Sequence, residues 1–343
     1  MSNQCVSLND IKHLKTFLEK CLNKKVLEYK LNSLTNPGDN FGSILRTIDL
    51  NVIENSNSNE KETMQLVVKT SVLDPYWAAV FKPELSFVKE VHFYANIIPA
   101  IQQFEQCTNV PEAERLNVFI QCLGSRISLN SNAKEADRDA VLLLENLKHD
   151  HFVNVNRYIR FDTQETIVVL KNLAKFHALC IAMRQVEPDL FKEKVNHNLS
   201  AVGGLKDDDE ILQIICDELH LLDKLSSKQR ELIKGYLQLG AQFVKNSSQT
   251  VDTPYTTIIH FDLWINNIMV KKGKSNPTQI KIYDFQLYVY ESFVHDLIFF
   301  LFMSVGPKDL VINFKLFIDF YLLEFIRTMG LVKCSSENYT FEK

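Results

Sequence analysis

His260-Phe-Asp262-Leu-Trp-Ile-Asn-Asn267 and, beyond a short apolar run and a turn, Lys281-Ile-Tyr-Asp284-Phe-Gln286 put an Asp, an Asn and a second Asp in a fixed order along the chain. That order and spacing match what a magnesium-dependent phosphotransfer site needs. Moving a phosphoryl group asks little covalent chemistry of a protein: one carboxylate accepts the proton of the acceptor hydroxyl, and two oxygen ligands hold the metal against the phosphates. Asp262 suits the first role, and Asn267 and Asp284 the second. Taken singly, each would be an ordinary turn residue, because Asp and Asn are favoured wherever a chain reverses.

The flanking sequence gives these groups a place. Thr256-Thr-Ile-Ile-His260 is β-branched and apolar and reads as a strand entering the loop; Ile268-Met-Val270 leaves it, Gly273 to Pro277 turns, and Gln279-Ile-Lys-Ile-Tyr283 returns as a strand. Such a strand-loop-strand-turn-strand unit sets Asp262 and Asn267 on one loop and Asp284 at the tip of the next strand.

Upstream, Pro37-Gly38-Asp39-Asn40-Phe41-Gly42-Ser43 is a polar turn whose glycines let backbone N–H groups approach an anion closely. It precedes two alternating runs, Ile44 to Ile53 and Met64 to Thr70, which read as a β-hairpin around the polar turn Asn55 to Glu62. Lys69 ends the second strand and Glu90 lies on the next helix. A strand lysine paired with a helix glutamate is how kinases fix a lysine on the α- and β-phosphates. Val141-Leu-Leu-Leu-Glu145-Asn-Leu147 is an apolar strand with a polar exit, and its backbone edge suits an adenine ring, with Glu145 to Lys148 as the hinge.

The rest of the chain reads as a β-rich half followed by a helical half. Residues 8 to 31 have apolar side chains at helical spacing and predict a leading amphipathic helix. Pro83 to Ile98 predicts a second helix, ended by Pro99. Val118 to Leu123 and Ala140 to Leu144 are short apolar runs. Beyond Asp162 helices are predicted over Gln164 to Arg184, Asp208 to Leu222, Lys228 to Asn246 and Lys308 to Met329, the last stopped by Gly330. The acidic run Asp207-Asp-Asp-Glu210 reads as a solvated helix N-terminus.

Composition bounds the class. At 343 residues the chain exceeds one average domain, and 46% hydrophobic with 23% charged residues is globular. A net charge of −4 with no long basic stripe recommends no nucleic acid as partner. Seven scattered cysteines without a Cys-x-x-Cys pair argue against a disulfide framework or a zinc site. The N-terminus lacks a secretory or myristoylation signal, and the most apolar stretch, Phe293 to Val305, is too short to span a bilayer and contains Asp296. A cytoplasmic protein with no membrane association and no implied protein partner is expected.

In order, the Gly-Asp-Asn-Phe-Gly-Ser loop, the Lys69 strand, Phe87-Val-Lys-Glu90-Val-His-Phe-Tyr94, Leu144-Glu-Asn-Leu147, Leu173-Ala-Lys-Phe-His177-Ala178, the His260 to Asn267 loop, Asp284-Phe-Gln286 and Asp296-Leu297 resemble the ecdysteroid kinase-like family. This family falls within the aminoglycoside phosphotransferase and choline kinase group. The resemblance runs from about Gly38 to Arg327. It implies an α+β, bilobal protein-kinase-like fold, with a β-rich nucleotide lobe over residues 1–147 and a mainly helical catalytic and acceptor lobe over 148–343. The activity it implies is ATP-dependent phosphorylation of a small molecule's hydroxyl.

By the same resemblance Asp262 is the catalytic base, Asn267 and Asp284 are magnesium ligands, Lys69 binds phosphate and Glu90 is its partner. Gly38, Asn40, Phe41, Gly42 and Ser43 line the nucleotide, with Glu145 and Leu147 at the hinge. The acceptor it implies is an ecdysteroid or another lipophilic alcohol or xenobiotic. A choline-, ethanolamine- or aminoglycoside-type kinase and a nucleotide-binding pseudokinase are the alternatives. His177, on an apolar helix face, reads as a hydrogen-bonded core histidine, and Asp296 as a brace for the catalytic-loop backbone. Two features depart from the family pattern. Phe261 replaces the usual Gly after the loop histidine, where φ > 0 would strain a bulky residue, and the chain ends at Lys343, where relatives commonly continue through further helices.

Overall fold

The computed structural model describes residues 11–34, 42–54, 60–72, 78, 81–195, 225–246, 253–273 and 278–339, with the backbone alone over 239–246. The expectations that fall on Gly38, Asn40 and Phe41, on the helix Asp208 to Leu222 with its acidic run, and on most of the turns Asn55 to Glu62 and Gly273 to Pro277 lie outside the described residues.

The N-terminal part is built on a five-stranded antiparallel sheet in the order β1-β2-β3-β5-β4, from Lys25–Ser33 (β1), Ser43–Ile53 (β2), Lys61–Ser71 (β3), Cys122–Arg126 (β4) and Val141–Glu145 (β5). The expected hairpin is present: β2 and β3 pair from Ser43↔Ser71 to Ile53↔Lys61. One face of the sheet buries Ile48, Leu50, Val52, Leu66, Val68, Val141 and Leu143 against Leu14, Phe17 and Leu18 of a short helix, Leu14–Leu22 (α1). The predicted helix over residues 8 to 31 is therefore too long. Asn23 adopts a left-handed conformation at φ 51 and ends the helix, and the following residues turn into β1. The apolar spacing continues past Asn23, but it serves a strand.

A second correction concerns Pro99. The helix Pro83–His92 (α2) widens into a π-turn, Phe93–Ile97, and continues as Ile98–Cys107 (α3), straight past the proline. Ile98 donates its N–H to Phe93 O, five residues back. Proline lacks the N–H that an α-helix interior requires and its ring crowds the carbonyl of the preceding turn. The wider turn places Pro99 at the start of the next helix, where neither is a defect.

Glu105 on α3 is almost fully buried and accepts the Leu116 N–H at 2.7 Å. Burial pushes its carboxyl up to about 7 from an ordinary 4.5. A carboxyl raised in the folded state adds stability below its unfolded pKa, and that stability is lost as pH rises through the folded value. Glu105→Gln keeps the acceptor and removes the charge. In urea denaturation, the variant is expected to exceed the parent by on the order of 1–3 kcal/mol above pH 7, narrowing toward pH 4.5. An identical pH dependence of the two proteins would disconnect Glu105 from folding.

The C-terminal part is mainly helical around small strands. After Val153–Asn154 (β6), Thr163–Val186 (α4) begins at a capping box in which Asp162 and Glu165 satisfy each other's backbone N–H groups. Pro188–Lys194 (α5), Ser227–Asn246 (α6), Phe293–Ser304 (α7) and Pro307–Leu331 (α8) complete the described helices. Gly330 lies inside α8 and does not stop it. Among the described residues α4 is long and apolar enough to cross a membrane, but 78% of its most apolar window is buried within the fold. Between the helices run Thr256–Ile259 (β7), Ile268–Lys271 (β8), Gln279–Ile282 (β9) and Val289–Ser292 (β10), with β7 paired to β10 and β8 to β9 and β6.

Candidate active site

β7 delivers the chain to His260, and a one-turn helix at Ile265–Asn267 hands it on to β8. Asn267 Nδ2 donates to the Asp262 carbonyl at 2.9 Å and to Asp262 Oδ2 at 3.1 Å, so these two side chains converge as the motif predicted. Pairing of Ile268 with Ile282 brings the end of β9 alongside, and Tyr283 N–H donates to the Asn267 carbonyl at 3.1 Å. Asp284 follows at φ 69, a left-handed turn that Asp tolerates better than most residues.

Lys69 reaches this point from β3. Its Nζ lies 2.7 Å from Asp284 Oδ1 and 2.6 Å from Glu90 Oε2, and both Lys69 and Glu90 are almost fully buried. Burial alone would lower the lysine's pKa, but the carboxylates of Asp284 and Glu90 outweigh it and hold the ammonium well above its usual range. Two carboxylates around one ammonium leave a surplus acid. Burial pushes Glu90 up to about 7, against the opposing pull of Lys69.

Burial likewise pushes Asp262 up to about 6, helped by the nearby charge of Asp284 and opposed by the hydrogen bond from Asn267. A carboxylate with that proton affinity is ionised at neutral pH yet basic enough to accept a proton in a transition state. The oxygen set also suits a hard divalent cation. With the Asn267 amide nitrogen turned to Asp262, its oxygen is left to coordinate, and Asp284 keeps one carboxylate oxygen beyond the one facing Lys69.

The loop is held by buried groups outside the Asp262–Asn267–Asp284 cluster. Asp296 on α7 is fully buried and accepts the backbone N–H of His260 at 2.6 Å and of Phe261 at 2.8 Å, the brace expected of it. Burial would raise its pKa, but its hydrogen bonds with His177 and with the backbone N–H of His260 bring it below the ordinary value. His177 is the core histidine expected, its ring between Tyr321 Oη at 2.7 Å and Asp296 Oδ2 at 3.4 Å. Phe261 does take the left-handed conformation, φ 73, where a bulky residue costs about 1–2 kcal/mol relative to an unstrained one.

Other predicted residues separate into three groups. An added Cβ at Gly42 would sit 2.7 Å from Gln286 Nε2, the far end of a flexible side chain, which places the glycine against the residue that closes the Asp284-Phe-Gln286 motif. Ser43 is buried at the start of β2. At the hinge, Glu145 accepts the Gln121 N–H at 2.8 Å through its carboxylate, and Leu147 is buried in the large apolar core.

Two contributors were not singled out from the sequence. His260 accepts the Asp262 N–H at Nδ1 (3.3 Å) while Nε2 meets the Tyr283 carbonyl at 2.9 Å, stapling the His260–Asn267 loop to the end of β9. Phe285 stacks on Phe93 of the π-turn, centroids 3.7 Å apart and planes 8° from parallel, tying the helix of Glu90 to the segment of Asp284. A histidine heading a loop is the one signal that could have flagged the first. Nothing local signals the second.

An antiparallel N-terminal sheet and a helical C-terminal part, taken with the sequence match, mark the chain as a phosphotransferase with an alcohol group as acceptor. The chain belongs to the ecdysteroid kinase-like family, whose sequence profile matches residues 37–334. Among solved structures it is similar to the GDP complex of wild-type aminoglycoside 2'-phosphotransferase-IIIa, at 12% identity over 94% of this chain and 91% of that one, TM-score 0.44. It is also similar to an aminoglycoside phosphotransferase structure holding GDP and kanamycin, at 11% identity over 94% and 97%, TM-score 0.45. No curated protein matches the chain.

Proposed function

We propose that the protein is an ATP-dependent kinase of a small lipophilic alcohol, with residues 1–147 binding the nucleotide and 148–343 supplying the catalytic loop and acceptor site. The observation that carries this reading is the contact of Lys69 with both Glu90 and Asp284, which joins the β3 strand to the end of β9 across 215 residues of sequence. An isolated lysine on a surface strand would be worth little. A buried lysine shared by two acids beside a loop Asp and Asn is arranged for phosphate.

In this mechanism Lys69, positioned by Glu90, binds the α- and β-phosphates. Asn267 and Asp284 would hold a magnesium ion, which when bound offsets charge on the phosphates. Asp262 takes the proton of the acceptor hydroxyl as the hydroxyl oxygen bonds to the γ-phosphorus and the bond from that phosphorus to the β–γ bridging oxygen breaks, so that ADP leaves with the bridging oxygen and the proton rests on the Asp262 carboxylate. His260 and Asp296 hold the loop so that Asp262 needs no reorganisation at that moment. The scattered cysteines, five of them free among the described residues, support a reducing, cytoplasmic setting.

The test is mass-spectrometric screening of the purified protein with ATP and magnesium against an alcohol library. The expected result is an added phosphate on lipophilic alcohols, dependent on magnesium. Tight ATP binding with no transfer to any alcohol would replace the reading with a nucleotide-binding pseudokinase, and transfer confined to choline or aminoglycosides would move the acceptor class.

A further inference from the structure

Lys89 sits beside Glu90 on α2 and is only 2% exposed. Lysine is almost never buried so completely, because an ammonium is costly to remove from water. Its Nζ lies over the ring of Tyr288, 4.7 Å from the centroid. Tyr288 is itself fully buried, and its hydroxyl oxygen is 3.0 Å from His92 Nδ1. Positions 89, 92 and 93 stand at i, i+3 and i+4 and so share one helix face. That face meets the segment following Asp284: Lys89 and His92 contact Tyr288, and Phe93 stacks on Phe285. Glu90, about 100° further round the helix, meets Lys69. Beyond Tyr288 the chain enters β10, where Val289 pairs with Ile259, the residue before His260. Tyr288 is therefore a joint between the helix of Glu90 and the strand that delivers the His260–Asn267 loop.

We propose that Lys89, seated on the Tyr288 ring, is a positioning residue for the Lys69–Glu90 pair: it fixes the rotation of α2 and so keeps the Glu90 carboxylate on the Lys69 ammonium. Its consequence for ATP rests on the phosphate-binding reading of Lys69; the contact itself does not. An ammonium is drawn to the negative face of an aromatic ring, and desolvation strengthens the attraction. Burial works against the charge, pulling the Lys89 pKa down to about 8 from an ordinary 10.5. A buried charge held on such terms stabilises a fold poorly, and what it can supply is a fixed orientation. Hydrophobic packing is non-directional and accepts neighbouring rotations of a helix. An ammonium tied to one ring face does not.

The test reads the Lys69 amine directly. The full-length protein is treated with acetic anhydride, and acetylation of each lysine is followed by mass spectrometry. Lys89→Met removes the buried charge at similar side-chain length, so folding is not at risk, and Tyr288→Phe keeps the ring. Lys69 is expected to react at least fivefold faster in Lys89→Met than in the parent, and within twofold of the parent in Tyr288→Phe. Lys175 on α4, buried and paired with Glu114, should keep its rate. An unchanged Lys69 rate, an equal rise at Lys175, or an equal rise in Tyr288→Phe overturns the proposal. Calorimetry carries the test to the nucleotide: Lys89→Met should weaken ATP binding at least tenfold and leave adenosine binding unchanged, and adding it to Glu90→Gln should weaken ATP binding no further. Equal losses for ATP and adenosine, or additive losses in the double variant, overturn it as well. If the parent binds no ATP, the kinase reading is what fails, and the acetylation rates alone decide whether Lys89 aims Glu90.

Discussion

Asp262→Asn is expected to lower kcat for phosphoryl transfer by about 10²- to 10⁴-fold, the usual contribution of a positioned general base. Asparagine has the same shape and still offers an oxygen to Asn267 Nδ2, now 3.1 Å from Asp262 Oδ2, so the loop should keep its form. Burial already disfavours the charge at this position, raising the carboxyl to about 6. Removing it should leave thermal stability equal or slightly improved. ATP affinity, read by calorimetry, should change little, because the nucleotide contacts are assigned to Lys69, Asn267 and Asp284. A loss of kcat below tenfold, with stability intact, would falsify Asp262 as the base and leave it a structural turn residue.

Asp296→Ala is expected to be the most damaging single change to the fold near the site. It removes the acceptor of two buried backbone N–H groups, those of His260 and Phe261, and the partner of His177, and leaves a cavity in their midst. Buried donors without partners cost about 1–3 kcal/mol each, and breaking a buried charged network commonly costs about 3–5 kcal/mol in all. Urea denaturation should report a loss in that range, and transfer activity should fall with it, because the strained φ of Phe261 is over-determined by this bond. Asp296→Asn, which retains one acceptor oxygen, should fall between the parent and the alanine variant. A loss under about 1 kcal/mol for the alanine variant would mean that the loop is held by other contacts.

The convergence of Asp262, Asn267 and Asp284 was legible because its information is local. Asp262, Asn267 and Asp284 sit on a strand-loop-strand unit whose alternation and turn residues are written in about thirty consecutive positions, and β8 pairing with β9 does the rest. Lys69 and Glu90 were legible for a related reason: each ends or rides on an element with a clear period. The reading failed where a backbone torsion or a distant contact decided the outcome. Asn23 ends α1 through a left-handed torsion that leaves the apolar spacing on either side undisturbed. Pro99 carries the strongest stop signal in its region, but the π-turn before it removes the reason to stop. The staple of His260 to Tyr283 and the stack of Phe93 on Phe285 join residues whose nearness is created by the tertiary fold, so no periodicity records them.

The π-turn at Phe93–Ile97 also sets an angular phase. An α-helix advances about 100° per residue, so one extra residue in a turn rotates the helix before it by that amount relative to the helix after it. α3 is locked in the core by Ile98, Ile101 and Phe104, and α2, on the other side of the turn, aims Glu90 at Lys69. Shortening the chain by a single residue between positions 93 and 97 would restore an unbroken helix and swing Glu90 about a quarter-turn away from the lysine. The correct pairing of that acid with that base is therefore dialled in by one surplus residue, several positions from either of them.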